Sequence, residues 1–290
     1  MRDLLAGPRR PATIIASGPA ASYLDIDGRL LAVVAPGGVR LPCALVLTAG
    51  SPMPTGRGAQ VWVGEGAVAV GPVGMTRKIG VVRWFDPRVR VERYDDVAVA
   101  RLARVVQTHA GGDPLLPAGA VDHLVAGLTN AAGPAEVVAD LLGRGAGLTP
   151  AGDDLLAGAL AALRAVRSPA ADGLAAAIGA LAPEGTTRLS AALLEAADEA
   201  AVVPQAEAVV LALASGPGRV ERDAIRLLDL GHTSGWHLAA GLAVGAAHAL
   251  AVAAPGSVSG AAARPAVVTG AGGPAVPAAG SADPRGGGGA

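Results

Sequence analysis

The feature that most constrains the fold is a change in the spacing of apolar residues near Asp96. Before it, residues 12 to about 94 contain short apolar runs separated by Pro- and Gly-rich turns, with no helical period between them. After it, apolar residues recur every three or four positions, starting at Val97, as on one face of a helix. This order predicts an α+β fold in which a small N-terminal β-barrel or sandwich-like region precedes a mainly α-helical domain.

Turn residues indicate where the strands of the first region lie. Asp27-Gly28 separates two apolar runs and favours a hairpin, because both positions tolerate a positive φ. Further strands are predicted at 44–48, 60–63, 67–70 and 81–85. Arg77-Lys78 and Asp95-Asp96 are interpreted as solvated turn residues.

The second region carries a succession of amphipathic patterns. They predict helices at 97–106, 118–128, 135–142, 155–166, 174–181, 187–197, 204–214, 220–228 and 238–254. Much of the apolar content is alanine, and only three Trp, two Tyr and one Phe are present, so the helices are expected to pack through small side chains. The segment 238–254 is short and rich in alanine and glycine, which predicts a buried helix rather than a membrane span.

These patterns divide the chain into three parts. We expect residues 1–96 to form the β-rich domain, 97–254 the helical domain, and 255–290 a disordered tail of Ala, Gly, Pro and Ser.

Charge and cysteine content narrow the functional classes. With 23 basic and 24 acidic residues the net charge is −1, which argues against nucleic acid or an anionic membrane as a partner. The single cysteine, Cys43, leaves no intramolecular disulfide and no multi-cysteine metal site, and we interpret it as a core residue. Since the first residues lack a secretory apolar stretch, we expect a cytoplasmic protein.

A glycine-rich loop, Arg144 to Asp154, runs from a predicted helix into the next. Thr149 fits an N-cap and Pro150 the first helical position. The backbone N–H groups of such a helix start bind anions, and glycines at 145, 147 and 152 let a ligand approach the main chain. We therefore predict that this loop, with Arg144, Gly145, Gly147, Thr149 and Gly152, binds a small anionic metabolite such as a phosphate or a carboxylate.

Two aspartates stand in the first turn of the helix that follows this loop. Asp153 and Asp154 would repel a bound anion unless a cation lies between them or the ligand also offers N–H donors. Magnesium suits carboxylate and phosphate oxygens together, so both are candidate magnesium ligands as well as candidate catalytic groups. The alternative is structural, because acidic residues in a first helical turn are favoured by the helix dipole alone.

A second loop, Gly231-His-Thr-Ser-Gly-Trp-His, echoes the first, since both are Gly-x-Thr turns that open an apolar helix. If the two helices pack side by side, Thr233 and Ser234 join the ligand site, and His232 or His237 supplies a proton-transfer group beside the aspartates. Gly158 and Gly241 are expected to allow close helix packing. Arg188, near another helix start, is a candidate anion partner.

The motif Gly147-Leu-Thr-Pro-Ala-Gly-Asp-Asp, with Thr187-Arg-Leu-Ser and Gly231-His-Thr-Ser-Gly-Trp, resembles a bacterial family long catalogued as a domain of unknown function. That family includes a subunit of oxamate carbamoyltransferase, and the resemblance spans roughly residues 12 to 250. This chain departs from the pattern at position 151, where Ala replaces an expected Ser, and at position 237, where His replaces an acidic residue.

The resemblance implies one subunit of a transferase assembly in anaerobic allantoin breakdown, a branch of purine catabolism. The assembly interconverts oxalurate plus phosphate and oxamate plus carbamoyl phosphate, and it contains other protein subunits. Two alternatives stay open: a non-catalytic anion-binding or scaffold subunit, and a structural protein whose helix caps only look like a site.

Overall fold

The computed structural model describes residues 2–56, 59–71, 77–109, 116–130, 133–231 and 233–254. The N-terminal elements are α1 (Arg2–Ala6), β1 (Arg10–Ser17), β2 (Ala21–Ile26), β3 (Arg29–Val34), β4 (Ala44–Val46), β5 (Val61–Gly64), β6 (Ala67–Val70) and β7 (Arg77–Gly80). The helices that follow are α2 (Asp96–Thr108), α3 (Ala120–Thr129), α4 (Gly133–Leu141), α5 (Ala151–Ala165), α6 (Ala170–Gly185), α7 (Arg188–Asp198), α8 (Pro204–Ser215), α9 (Val220–Leu228) and α10 (Ser234–Ala253). The predicted α+β class is confirmed, whereas the predicted tail at 255–290 lies outside the described residues.

The strands form one curled sheet in the order β4-β3-β2-β1-β5-β6-β7. Neighbouring strands pair antiparallel, except that β3 and β4 run parallel. The predicted hairpin is β2–β3, and its two turn residues, Asp27 and Gly28, have φ values of 52° and 85°. Positive φ at both positions is what this tight turn requires.

Three local predictions were wrong. The strand expected at 81–85 lies earlier, at Arg77–Gly80, so Arg77 and Lys78 are strand residues rather than turn residues. β7 is at the end of the sheet order, and exposed charged side chains are typical of such edge strands. Asp95 is the N-cap of α2, because its carboxylate accepts a hydrogen bond of 2.8 Å from the Ala98 backbone N–H.

The nine predicted helical segments each overlap an observed helix, and α5 lies at their centre. Along α5 every residue except Arg164 is buried. Its main neighbours are α10 and α7, and α6 and α4 also contact it. A helix covered on all sides must be apolar all round, which explains the run of leucine and alanine after the two aspartates.

By length and hydropathy, α10 is long and apolar enough to cross a membrane, and in the described part of the chain it alone meets that test. In this structure 56% of its 18-residue apolar stretch is buried, and the helix packs against α5, α2, α3, α9 and α8. This packing agrees with the predicted buried helix.

The sheet meets the helical part at α7. Leu189 of α7 packs in one apolar cluster with Leu30 and Val34 of β3, and Cys43 lies in the same cluster, buried as predicted. The sheet thereby supports the beginning of α7.

Candidate functional site

The two Gly-x-Thr loops predicted from sequence come together at the starts of α5 and α10. The hydroxyl oxygens of Thr149 and Ser234 lie 3.0 Å apart and share a hydrogen bond. Both side chains are partly exposed. The two loops therefore meet through a direct contact, as expected if the two helices pack side by side.

The α6–α7 connection reaches the same place through two threonines. The Thr187 hydroxyl donates to the carbonyl of Leu148 in the first loop, and the Thr186 hydroxyl donates to Oδ2 of Asp153. Thr187 also caps α7, because its oxygen accepts a hydrogen bond from the Ser190 N–H. All three sequence motifs that carried the family resemblance thus meet in one region.

The helices α5 and α10 run side by side because glycines face each other where they cross. A Cβ on Gly158 would collide with the carbonyl of Leu238, and a Cβ on Gly241 would collide with the carbonyl of Leu155. These contacts are reciprocal, since each glycine meets the residue three positions before the other. The predicted packing role of both glycines is confirmed.

This reciprocity aligns the two helices residue by residue. Gly158 and Gly241 differ by 83 positions, and so do Leu155 and Leu238. The same offset places His237 on α10 where Asp154 stands on α5, each four residues before its glycine and on the same helix face. The helices are therefore parallel, and the positive ends of both helix dipoles lie at the site.

Asp153 is held on both carboxylate oxygens by the protein itself. The side chain is 1% exposed, Oδ1 accepts a 2.7 Å hydrogen bond from the Gly143 backbone N–H, and Oδ2 accepts the hydroxyl of Thr186. These bonds join the end of α4 and the α6–α7 connection to α5. Sequence reasoning missed Thr186 as a partner, and its only signal was a threonine pair before Arg188.

Asp154 differs from its neighbour. It is 8% exposed, and its Oδ2 is buried with no hydrogen-bond partner in the described part of the chain. Burial raises the pKa of the Asp154 carboxyl to about 8, and the charge of Asp153 adds to the rise. Hydrogen bonding to the carboxyl from the hydroxyls of Ser234 and Thr149 lowers the pKa and partly counters this rise. Asp154 is therefore mainly uncharged at neutral pH.

The backbone N–H groups at the start of α5 have different hydrogen-bond partners from those predicted. The N-cap is Pro150, not Thr149, and no side chain caps the helix. The Gly152 N–H donates to the carbonyl of Arg144 at 2.8 Å, and the Asp153 N–H donates to the carbonyl of Pro150 at 3.0 Å. The Thr149 hydroxyl shares a hydrogen bond with that of Ser234 instead of capping the helix.

The loop glycines have distinct functions. A Cβ on Gly152 would collide with the carbonyl of Leu141, and a Cβ on Gly145 would lie 2.5 Å from the backbone nitrogen of Ala151, so both permit close packing within the chain. Gly147 is exposed, has a φ of 94° and faces open space. Of the three, only Gly147 leaves room for a ligand to approach the backbone.

The second loop repeats this construction. The Gly235 N–H donates to the carbonyl of Leu230 at 2.9 Å, as Gly152 does to Arg144. The carbonyl of Thr233 lies 2.9 Å from Nδ1 of the buried His237. A carbonyl only accepts, so Nδ1 carries the proton. The predicted catalytic residue His232 lies outside the described residues.

Both predicted arginines contact protein groups. Nη2 of Arg188 lies 2.6 Å from Oδ2 of Asp25 on β2, and Nε of Arg144 donates to the carbonyl of Asp140 at 3.1 Å. Arg188 therefore links α7 to the sheet in this structure.

The magnesium interpretation finds little support in the geometry. Across the described ranges, no group of three or more His, Cys, Asp or Glu side chains could hold a metal ion. Asp153 already uses both of its oxygens. This leaves Asp154 as the member of the pair with an unengaged oxygen.

A large open groove of about 1440 Å³ lies elsewhere, between the sheet and α7. Its lining includes Arg40, Trp84 and Glu195, but not Thr149, Asp154 or Ser234. Sequence reasoning did not anticipate this groove, which is formed by elements distant in the chain.

Comparison with known proteins bears on the site rather than on the sheet. Residues 141–246 match the model of a family described as oxamate carbamoyltransferase subunit AllH. The matched range contains all three converging motifs. No curated protein and no solved structure matches the chain.

Proposed function

Since the match over residues 141–246 supports placing the chain in the oxamate carbamoyltransferase subunit AllH family, we propose that it is a subunit of a carbamoyltransferase-type enzyme. Its reaction would interconvert oxalurate plus phosphate and oxamate plus carbamoyl phosphate. The observation that carries the proposal is the buried, unpartnered Oδ2 of Asp154 near the hydroxyls of Thr149 and Ser234. Buried polar groups in native proteins rarely lack a partner, and a bound ligand would supply one here.

The geometry suits a small ligand that has both an anionic end and polar N–H or C=O groups. Two helix N-termini supply positive potential, and the partly exposed hydroxyl groups of Thr149 and Ser234 supply hydrogen-bond donors. The uncharged Asp154 removes one of the two negative charges that would otherwise repel an anion.

In the direction of oxalurate formation, the oxamate nitrogen attacks the carbamoyl carbon, the C–O bond to phosphate breaks, and the amide nitrogen loses a proton; the assayed direction is the reverse of these steps. Such a transfer needs positioning and charge stabilisation rather than a covalent enzyme intermediate. Thr149, Asp154 and Ser234 would hold one reactant in place, and other subunits would complete the assembly.

A non-catalytic binding subunit is the second candidate. This candidate is favoured because the Asp153 carboxylate and the Gly152 N–H, two groups that catalysis would use, are both hydrogen-bonded within the protein. In that case the chain would bind its ligand while its partners hold the reacting atoms.

The test combines the full chain with the proteins encoded beside it and measures the conversion of oxalurate and phosphate to oxamate and carbamoyl phosphate. We expect Asp154→Ala to lower kcat/KM by at least about 100-fold, if two hydrogen bonds to the reacting ligand are lost. Asp122→Ala is the matched control, because Asp122 is exposed in the first turn of α3. Turnover unaffected by Asp154→Ala would favour a role for the chain outside catalysis.

A further inference from the structure

The two neighbouring aspartates have unequal access to a ligand. Asp153 has both oxygens hydrogen-bonded within the chain and is 1% exposed, so a ligand has little access to it. Asp154 retains a buried oxygen without a partner, next to the hydroxyls of Thr149 and Ser234. Within the described ranges, no Arg, Lys or His forms an ion pair with either aspartate.

From this arrangement we infer that Asp154 binds as an uncharged carboxylic acid and recognises the primary amide group of the ligand, while Asp153 only holds the site together. The inference rests on the proposed function, since that function supplies a ligand with a primary amide.

An uncharged carboxyl group and a primary amide have complementary hydrogen-bonding groups. An uncharged carboxyl group has one O–H donor and one C=O acceptor side by side, and a primary amide has one C=O acceptor and N–H donors in the same arrangement. The two groups pair through two hydrogen bonds at once. An ionised carboxylate is an acceptor only, so it could take the amide N–H but would leave the amide oxygen unpaired and repel the anionic end.

The electrostatic surroundings favour the uncharged form. Burial and the neighbouring Asp153 raise the pKa of Asp154 to about 8. Asp153 is the charged group that acts on the pKa of Asp154. The first loop and the helices that contact α5 carry these other titratable or charged residues: Arg144 in the loop, Glu136 and Asp140 on α4, Asp172 and Glu184 on α6, Arg188, Glu195 and Asp198 on α7, and His237 and His248 on α10. Arg188 is held by Asp25, which leaves it directed towards the sheet.

Calorimetry on the full chain tests the inference with oxamate and pyruvate as probes. Pyruvate has the same carboxylate and carbonyl but a methyl group in place of the amide nitrogen. Neither probe titrates between pH 6.5 and 9, so any change in affinity over that range belongs to the protein. We expect oxamate to bind at least about ten-fold more tightly than pyruvate at pH 6.5, because the methyl group leaves an acceptor of Asp154 unsatisfied.

Raising the pH from 6.5 to 9 should weaken oxamate binding about ten-fold, because a group with a pKa near 8 loses its proton over that interval. Asp154→Asn retains a donor and an acceptor in the same place, so it should bind oxamate within about three-fold of the unmodified chain at pH 6.5 and lose the pH dependence. Asp154→Ala should weaken binding at least about ten-fold at pH 6.5. Asp122→Asn should change neither affinity nor pH dependence.

Three results would overturn the inference: equal affinity for oxamate and pyruvate, affinity that is unchanged or increases towards pH 9, and no saturable oxamate binding by the full chain. None of them decides the proposed function, which is judged by turnover of the assembled subunits. Loss of turnover at Asp154→Ala together with equal binding of the two probes would retain the enzyme and reject amide recognition.

Discussion

The hydroxyl oxygens of Thr149 and Ser234 lie 3.0 Å apart although the two residues are 85 positions apart in the chain. Each begins or precedes an apolar helix, and the two helices then cross at Gly158 and Gly241. The hydrogen bond therefore joins the N-terminal ends of a parallel helix pair, close to the buried carboxyl of Asp154.

The side chains of Thr149 and Ser234 should be energetically coupled through this hydrogen bond. We expect Thr149→Val and Ser234→Ala each to lower the free energy of unfolding, and the double variant to lower it by less than the sum of the two. A coupling energy of about 0.5–1.5 kcal/mol is typical of one such bond. Urea unfolding of the four proteins measures it. A coupling of zero would mean that the two hydroxyls do not support each other.

Asp153→Ala should destabilise the fold strongly. The substitution leaves the Gly143 N–H and the Thr186 hydroxyl without their acceptor, and each unsatisfied buried group costs about 1–3 kcal/mol. We expect the free energy of unfolding to fall by about 2–4 kcal/mol. Thr186→Val removes only one of the two contacts and should cost less. If Asp153→Ala lowers the free energy of unfolding by less than about 1 kcal/mol, Asp153 does not stabilise the contacts with Gly143 and Thr186 as inferred.

Asp154 should make stability depend on pH. Its pKa is about 8 in the folded chain and near 3.8 when unfolded, so the folded state holds one more proton between these values. Stability should therefore fall as the pH rises from about 4 to 8, with a slope from this group of up to about 1.4 kcal/mol per pH unit.

Urea unfolding across this pH range checks the prediction, with Asp154→Asn as the comparison. The variant cannot ionise, so it should lack this part of the slope and be more stable than the unmodified chain at pH 8. Equal slopes in the two proteins would show that Asp154 does not titrate as the structure indicates.

Adding a methyl group where α5 and α10 cross should destabilise the fold. In Gly158→Ala and Gly241→Ala the new Cβ meets the backbone of the other helix, which cannot yield as a side chain can. We expect each to lower the free energy of unfolding by about 1–3 kcal/mol. Gly179→Ala is the control, because that exposed helical position has open space around it and should become more stable by about 0.5–1 kcal/mol. Similar effects at all three positions, read from thermal or urea unfolding, would contradict the close crossing.

Sequence periodicity predicted the helices well because burial of one face repeats along each of them, as the position of α9 at Val220–Leu228 illustrates. It misplaced the last strand because an edge strand tolerates charge, whereas the apolar run at 81–85 includes Val82, which is 87% exposed. Periodicity records average burial along an element and not which edge of the sheet the element occupies.

The candidate site was predicted in part. The loop, the aspartate pair and the second Gly-x-Thr turn could be read from the chain, since turn and cap residues have local signatures. The difference between Asp153 and Asp154 could not, because it depends on Thr186 and Ser234, which only tertiary packing brings to them. The same packing assigned Gly145 and Gly152 to close contact within the chain rather than to a ligand.

The central claim, that Asp154 is an uncharged carboxyl available to a ligand, is tested most directly by carbon-13 NMR titration of the aspartate carboxyl carbons, with Asp154→Asn to assign the resonance. We predict a midpoint near pH 8 for Asp154, and a shift to higher pH when oxamate is added, because the ligand binds the protonated form. A midpoint near pH 4 that oxamate leaves unchanged would contradict the claim.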